Sequence, residues 1–306
     1  MRIGTRGSDL ALAQSRHVRA LLGGTDADIP LEVITTTGDR FLDVSLQRIG
    51  GKGVFTKEIE EALLAGRVDL AVHSLKDLPT ENPPGLLVAA LLVREDPRDA
   101  LVATRGLGLA ALPSGSRVGT SSLRRRSQLL ARRPDLAVED LRGNVPTRLR
   151  RVEEGRYDAV VIAAAGLRRL GLADRISELI DEEIMLPAPG QGVLAIQTRA
   201  DDDRTIASVR RLHDEVASAE ATAERAFLAA LGGGCLVPVG ARGRVSEGRL
   251  RLDGVVGHPT GRPVVRDTAM GAASDAAKIG RALAETVLAH GAREILAEVR
   301  SDEVFP

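Results

Sequence analysis

The stretch VDLAVHSLKD, residues 68–77, joins a short apolar run to a polar cluster and indicates the fold class. The run from Val68 to His73 predicts a buried strand, and the polar residues after it mark a loop. The run YDAVVIAA, residues 157–164, predicts a second strongly apolar strand. Amphipathic stretches such as Thr56 to about Gly66 lie between the apolar runs. Alternating strands and helices of this kind predict an α/β protein.

The length and the order of these elements predict more than one domain. A chain of 306 residues corresponds to two domains, and a third is compatible with this length. The strand and helix pattern begins again after Pro97, which predicts two similarly built α/β halves. In the last third, helices over Glu215–Leu231 and Ala272–His290 flank three short strand-like runs between Val237 and Arg266. This region is predicted to be a small α+β domain.

Several classes of protein are excluded by composition. The one cysteine, Cys235, rules out an intramolecular disulfide and a cysteine-based zinc site. The five histidines lack metal-ligand spacing, so no metal site is predicted. No apolar run approaches the ~18 residues that a membrane span needs, and the first 18 residues lack the apolar core of a secretory signal. We expect a soluble cytoplasmic protein with no membrane partner.

The distribution of charge indicates an anionic ligand. The net charge is zero, with 42 basic and 42 acidic residues. Between Arg117 and Arg151, however, there are ten arginines and only three acidic residues. A local excess of positive charge in a neutral protein favours an anion in that region. Nucleic acid is disfavoured because four Phe, one Tyr and no Trp leave little for base stacking. A small polyanion is the better expectation.

Polar clusters follow several of the predicted strands. They are Thr5–Ser8, His73–Asp77, Gly119–Arg125 and Arg142–Asn144. Ligands of open α/β sheets bind just outside the carboxyl ends of the strands. Three of the clusters also begin a helix, where free N–H groups favour an anion. Taken singly, each cluster is also explained as the capped start of a helix.

Three features have both a structural and a functional interpretation. Asp77 is either a turn-forming carboxylate or an acid, base or cation stabiliser. Cys235 is either a small buried apolar residue or a nucleophile that the preceding glycines present to a cleft. The run Gly50–Gly53 lacks the spacing of a nucleotide-binding phosphate loop and is predicted to be a flexible flap.

Ten segments, in register from near the first residue to the last third, resemble the porphobilinogen deaminase family, also called hydroxymethylbilane synthases. In chain order they are Ile3–Ser8, Gly51–Gly53, Val72–Pro79, Arg94–Asp99, Gly119–Arg125, Leu141–Val145, Pro189–Gly192, Glu224–Arg225, Gly233–Pro238 and Gly291–Leu296. Each motif alone is weak, but their shared order and spacing make coincidence implausible.

The resemblance implies an architecture. The family has two α/β domains that resemble type II periplasmic binding proteins, arranged around a cleft, and a small C-terminal α+β domain. The limits that it implies here are 1–92 with 193–210 for the first domain, 97–187 for the second and 215–306 for the third. The third domain is expected to carry the cofactor cysteine on a loop.

The resemblance also implies a reaction. Such enzymes are transferases of porphyrin and haem biosynthesis that join four porphobilinogen units into hydroxymethylbilane and release ammonia. Their cofactor is a dipyrromethane, held through a thioether to one cysteine, which here can only be Cys235. Acetate and propionate groups make cofactor and product polyanions, in agreement with the arginine-rich segment. The family analogy further suggests a monomer.

Individual positions take their expected roles from the same resemblance. Asp77 matches the catalytic carboxylate, which also contacts the cofactor, and Lys52 lies in the flap. The positions that match carboxylate-binding arginines are Arg124, Arg125, Arg142 and Arg148. Further cofactor contacts are matched by Lys76, Thr120, Ser122 and Gly143. Positions associated with the incoming substrate are matched by Arg6, Ser8, Arg142 and Arg169.

The chain departs from the family pattern at three places. Asp9 places an acid beside Ser8, Leu236 follows the cysteine where a more polar residue is expected, and Gly232 adds a third glycine that predicts a more flexible cofactor loop. Two alternative functions remain: a non-catalytic carboxylate sensor with the same cleft, and a transferase that handles phosphate.

Overall fold

The computed structural model describes residues 1–40, 55–233 and 237–301 of the chain. Lys52 and Cys235, which the sequence assigns to the flap and to the cofactor, lie outside these residues. The chain divides into two compact units. The first is Met1–Glu95 with Gly192–Ser218, and the second is Asp96–Gln191 with Ala219–Pro306.

The first unit contains a five-stranded sheet. Its strands are β1 (Ile3–Thr5), β2 (Leu31–Val33), β3 (Leu70–Ser74), β4 (Leu86–Leu91) and β10 (Leu194–Arg199), in the order β2-β1-β3-β10-β4. Its helices are α1 (Asp9–Leu21), α2 (Thr37–Arg40), α3 (Lys57–Leu64) and α7 (Asp203–Arg210). One apolar core includes Ile3, Val18 and Leu70, and another includes Ile59, Leu63 and Val68.

A second five-stranded sheet begins the second unit. Its strands are β5 (Asp99–Ala103), β6 (Arg117–Gly119), β7 (Ala137–Glu139), β8 (Ala159–Ala163) and β9 (Glu178–Leu179), in the order β7-β6-β8-β5-β9. Its helices are α4 (Leu123–Arg132), α5 (Val145–Glu153) and α6 (Ala164–Arg169). Strand β8 is fully buried and reads as a continuous apolar run, as expected for a strand with neighbours on both faces.

The two sheets share one strand arrangement. In each, three parallel strands are followed by one strand that runs antiparallel to its neighbours. That strand is β10 in the first sheet and β5 in the second. Neither is among the strands that periodicity predicts, because buried polar residues such as Asp99 and Gln197 interrupt their apolar pattern. The reversed direction of β5 places its first residue, Asp99, opposite the last residue of β8, Ala163.

The last third forms a small α+β layer. It contains α8 (Glu215–Ala230), β11 (Val239–Ser246), β12 (Arg249–Gly257), β13 (Val264–Ala272), α9 (Ala276–Val287) and α10 (Arg293–Arg300). The three strands form an antiparallel sheet in sequence order. Phe227 and Leu283 pack with Leu252 in its apolar core. The helix predicted to run to His290 instead ends at Val287, because the chain makes a wider turn around Gly291, whose φ is 103°.

The predicted fold class is confirmed. The protein has two α/β sheets with the same arrangement of parallel and antiparallel strands, and a small α+β region. The numerical domain limits and the cleft remain predictions. Predicted helix starts are close to the observed ones: the side chain of Ser8 caps α1, and that of Ser122 caps α4.

Candidate functional site

The first unit brings two predicted polar clusters to one edge of its sheet. Strands β1 and β3 are parallel neighbours, so their carboxyl ends lie at the same edge. Arg6 follows β1, and Lys76 and Asp77 follow β3 in a single 3₁₀ turn, Leu75–Asp77. The amide of Gln14 on α1 donates to the hydroxyl of Ser74 at 2.9 Å, which ties the helix to the end of β3.

Asp77 has an exposed side chain, whereas Lys76 beside it is half-buried. Within the described ranges, the Asp77 carboxylate has no hydrogen bond and no ion pair. An ordinary turn-forming Asp accepts hydrogen bonds from its own turn, but here the turn is closed between backbone groups, with Leu78 N donating to Leu75 O at 3.1 Å. The charge of Asp77 is therefore available to a ligand.

Arg6 and Ser8 occupy different environments. The guanidinium of Arg6 lies over the ring of Phe55, 4.3 Å from its centroid, and this cation–π contact fixes the position of the charge. The hydroxyl of Ser8 accepts the N–H of Ala11 at 3.3 Å and keeps its own proton to donate. Asp9 is exposed in the first turn of α1, where the helix dipole favours its negative charge.

A buried histidine supports the end of β3. His73 lies three residues before Lys76, and its Nε2 has no hydrogen-bond partner among the described residues. Burial lowers the pKa of His73 to about 4, and the charge of Arg6 acts in the same direction. The imidazole is therefore neutral near pH 7, and it adds no second cation beside Arg6.

The second unit gathers the remaining predicted residues at the corresponding edge of its own sheet. Strands β6, β7 and β8 are parallel, and the predicted residues come after them along the chain. Thr120 and Ser122 follow β6: the hydroxyl of Thr120 accepts the N–H of Ser122 at 3.2 Å, and the hydroxyl of Ser122 accepts that of Arg125 at 3.4 Å. These side chains shape the turn that begins α4.

Arg124 and Arg125 share one buried carboxylate. Arg124 donates to Asp99 at 2.6 Å, and Arg125 donates to it twice, from Nε at 3.1 Å and from Nη2 at 2.7 Å. Burial opposes ionisation of Asp99, but the two guanidiniums outweigh it and hold the pKa of this carboxyl well below its usual range. Both arginines also donate to backbone carbonyls, at Leu186 and Val161.

Arg148 is the least compensated cation of this edge. Its Nε donates to the carbonyl of Gly143 at 2.9 Å, and no carboxylate within the described residues pairs with it. The pKa of Arg148 is lowered to about 10, mainly by burial; the charges of Arg125 and Arg142 act in the same direction, and Asp140 opposes them. The charged guanidinium is thus held where an anion would stabilise it.

Gly143 shapes the loop that carries Arg142. Its φ of 109° is accessible to glycine but strained for other residues, and a Cβ there would lie 2.8 Å from Thr147 Cγ2. The next residue, Asn144, caps α5 by accepting the N–H of Thr147 at 2.9 Å. Arg142 is half-buried and lies 3.5 Å from the exposed carboxylate of Asp140.

Other arginines of the dense segment have structural partners. Arg133 makes a bidentate pair with Asp135, Arg117 pairs with Asp158, and Arg151 pairs with Glu154. These pairs account for part of the excess of positive charge between Arg117 and Arg151. Arg169, the last residue of α6, is half-buried.

The helix that leads to Cys235 is anchored in the second unit. Glu224 on α8 is fully buried and accepts the N–H groups of Gly190 at 2.7 Å and of Gly243 at 2.8 Å. Gly232 has φ of 76° in the turn that ends α8, and a Cβ would lie 2.4 Å from a nitrogen of Arg300. Gly232 therefore ends the helix. The greater flexibility predicted for the cofactor loop concerns residues outside the described ranges and stays a prediction.

Asp99 is the residue that sequence reasoning left without a role. It lies in a quoted motif, Arg94–Asp99, but outside the segment whose charges were counted. The signal that could have found it is an acid at the start of an apolar run, since such a residue must be paired if it is buried. Gln191 also donates to it at 3.0 Å.

Comparison with known proteins gives the family. Residues 1–208 match the family model described as "Porphobilinogen deaminase, dipyromethane cofactor binding domain". Residues 218–289 match "Porphobilinogen deaminase, C-terminal domain". The chain belongs to the porphobilinogen deaminase family.

Full-length relatives agree with this assignment. The chain is 54% identical to the porphobilinogen deaminase of Roseiflexus sp. (strain RS-1), over 96% of this chain and 98% of the relative. It is 50% identical to that of Deinococcus radiodurans, over 97% and 98% respectively. Among solved structures, it is similar to the periplasmic VFT2 domain of Bordetella pertussis BvgS. That match has 15% identity and a TM-score of 0.39, and covers 69% of this chain and 86% of that one.

The predicted family, reaction and cofactor are confirmed. The chain is a transferase of tetrapyrrole biosynthesis that assembles hydroxymethylbilane from porphobilinogen on a dipyrromethane primer. Family membership selects this activity over the carboxylate sensor and the phosphate-handling transferase. None of the helices in the described residues has the length and apolar character needed to cross a membrane.

The uncompensated charge of Arg148 leads to a prediction for the cofactor-free protein, taken as the Cys235→Ser variant. Since the fold disfavours the charged form of Arg148, Arg148→Leu in that background should keep the melting temperature within about 2 °C or raise it. The matched change Arg125→Leu breaks a buried ion pair and should lower it by more than about 5 °C. Equal losses in both, measured by circular dichroism, would show that Arg148 is a structural cation.

Proposed function

We propose that Asp77 is the catalytic carboxylate and that the arginines at the sheet edge of the second unit hold the carboxylates of the cofactor and of the growing chain. The assignment of the arginines rests on one observation, the cluster of cations around Arg148. The guanidiniums of Arg124 and Arg125 are buried and share one buried carboxylate, Asp99, while the half-buried Arg148 has no carboxylate partner among the described residues. Burying an uncompensated charge is costly, so such a cluster favours an anionic ligand.

The cofactor fits the residues present. Arg125, Arg142 and Arg148 offer guanidinium groups that suit bidentate binding of acetate and propionate groups. Thr120, Ser122 and Gly143 line the same edge with hydroxyl and backbone groups. When bound, the dipyrromethane supplies the pyrrole carbon to which the first substrate unit is joined. Each charge-assisted pair with a carboxylate should contribute ~1.5–3 kcal/mol.

The role of Asp77 follows from the charge that develops during the reaction. Porphobilinogen loses its aminomethyl nitrogen as ammonia, and the C–N bond that breaks leaves a positive charge spread over the methylene and the pyrrole nitrogen. A fixed carboxylate stabilises that charge, and it can carry a proton to the leaving nitrogen and accept one from the ring. Asp77 has no competing partner among the described residues, which supports this role.

Three substrate contacts complete the proposal. Arg6, held over Phe55, and Ser8, whose hydroxyl proton remains to be donated, are assigned to the carboxylates of the incoming porphobilinogen. Arg169 is assigned to the same task from the end of α6.

Two lysines have other proposed roles. Lys76 is assigned to the cofactor, and Lys52, outside the described residues, is assigned to the flap.

We also propose that the enzyme acts as a monomer in the cytoplasm and that its domains have the limits given by the sequence. Family analogy supports these assignments. Light scattering on the purified holoenzyme tests the oligomeric state, and a mass twice that of the chain would contradict it.

The first test concerns Cys235. Cys235→Ser should fold but lack the covalent cofactor, because a serine hydroxyl is a far weaker nucleophile than a thiolate. Intact-mass measurement should show the additional mass of two linked pyrrole units on the unchanged chain and none on the variant. A Ser variant with the full adduct and activity would contradict the assignment.

The second test concerns Asp77. Asn preserves the shape of Asp but removes its charge, so Asp77→Asn should lower kcat by about 10²–10³ with little change in KM. The measurement is steady-state kinetics on folded, cofactor-loaded enzyme.

The matched control for this test is Asp28→Asn, a turn carboxylate of the same unit that accepts hydrogen bonds from Thr25. It should leave kcat unchanged. If Asp77→Asn also stays within threefold of the unchanged enzyme, Asp77 is a turn residue and the mechanism is wrong.

A further inference from the structure

The buried carboxylate of Asp99 has a geometry that a merely stabilising ion pair does not require. Its two oxygens are divided between two guanidiniums that are consecutive in sequence: Arg124 binds one and Arg125 the other. The amide of Gln191 adds a third donor to the oxygen that Arg125 binds. Asp99 itself is fully buried.

This arrangement leaves part of each guanidinium for another partner. An arginine has five N–H donors in a fixed fork. Arg124 donates hydrogen bonds from its Nη1 group, one to Asp99 and one to the carbonyl of Leu186. Arg125 uses three donors, two on Asp99 and one on the carbonyl of Val161. These acceptors fix the orientation of each guanidinium plane.

The position of Asp99 depends on the sheet rather than on α4. Asp99 is the first residue of the antiparallel strand β5, and its neighbour across the sheet is Ala163, the last residue of β8. It is therefore placed at the edge where the parallel strands end, next to the first turn of α4. Because the sheet fixes the backbone of Asp99, its short side chain confines the carboxylate to a small region, and this constrains where the arginines point.

We propose that Asp99 is a positioning residue for the cofactor: it holds the guanidiniums of Arg124 and Arg125 in the orientation that receives the cofactor carboxylates. This inference rests on the proposed function of the two arginines. Without Asp99 the two arginines keep their charges, and the net attraction for an anion rises. Their guanidinium groups, however, are no longer held in the orientation that binds the ligand. The loss is then one of geometry, since each guanidinium must be ordered when the ligand binds.

A positioning role and a structural role predict different results. The covalently held cofactor stays on the unfolded chain, but contacts that it makes only in the folded state raise the melting temperature. The difference in melting temperature between the loaded enzyme and its Cys235→Ser counterpart, called the gap below, therefore reports those contacts. A structural role lowers both melting temperatures equally and leaves the gap unchanged. A positioning role narrows the gap.

The experiment compares Asp99→Asn with Asp135→Asn, each made with and without Cys235→Ser. Asp135 forms a bidentate pair with Arg133, with both distances 2.7 Å, in the same unit and away from the sheet edge. Asp99→Asn should cut the melting-temperature gap by at least half and lower the fraction of chains that carry the cofactor by intact mass. Asp135→Asn should leave both unchanged.

Asp99→Glu keeps the charge and is the second variant if the Asn protein does not fold. Its extra methylene displaces the carboxylate, so the gap should narrow here too. An unchanged gap and full loading in either folded variant would overturn the inference. If Arg148→Leu still loses the cofactor in that case, the proposed function stands and only the role of Asp99 falls; if it loads fully as well, the arginine assignment itself is wrong.

Discussion

The second unit depends on one buried carboxylate. Asp99, the first residue of β5, accepts hydrogen bonds from Arg124 and Arg125 in the first turn of α4 and from Gln191. Buried ion pairs add little net stability, because desolvation of both charges offsets their attraction. The retention of this one is better explained by what it fixes: two arginine side chains at the carboxyl edge of a parallel sheet.

The sheet edge of the first unit combines the cations Arg6 and Lys76 with an exposed carboxylate, whereas the charged residues assigned at the edge of the second unit are all arginines. In the first unit, Asp77 is exposed and lacks a protein partner within the described chain, and buried His73 is neutral because its pKa is lowered to about 4. In the second unit, the buried charges are mostly cationic. A carboxylate suits a transient cation formed from the substrate, and guanidiniums suit the permanent anions of cofactor and product.

In the proposed function, the half-buried charge of Arg148 couples cofactor binding to the stability of the folded protein. Arg148, with its pKa lowered to about 10, is less favourable in the free protein than in water. A bound carboxylate removes that penalty, and thus cofactor binding and local stability are coupled. Glu224 anchors α8, the helix that precedes Cys235, which is the proposed site of the thioether.

Much of this protein was determined by the sequence alone. The α/β class followed from apolar runs alternating with helices, the family from ten ordered motifs, and an anionic ligand from the arginine-dense segment. Ser8 and Ser122 gave the helix starts, because capping depends on local chemistry.

Tertiary structure decided the rest. Strands β5 and β10 and the pairing of Asp99 with Arg124 and Arg125 depend on contacts between residues 25 or more positions apart, which no local pattern encodes. Charge counting could not separate Arg133, paired with Asp135, from Arg148, which is half-buried and has no carboxylate partner among the described residues, because a count carries no information on burial or pairing.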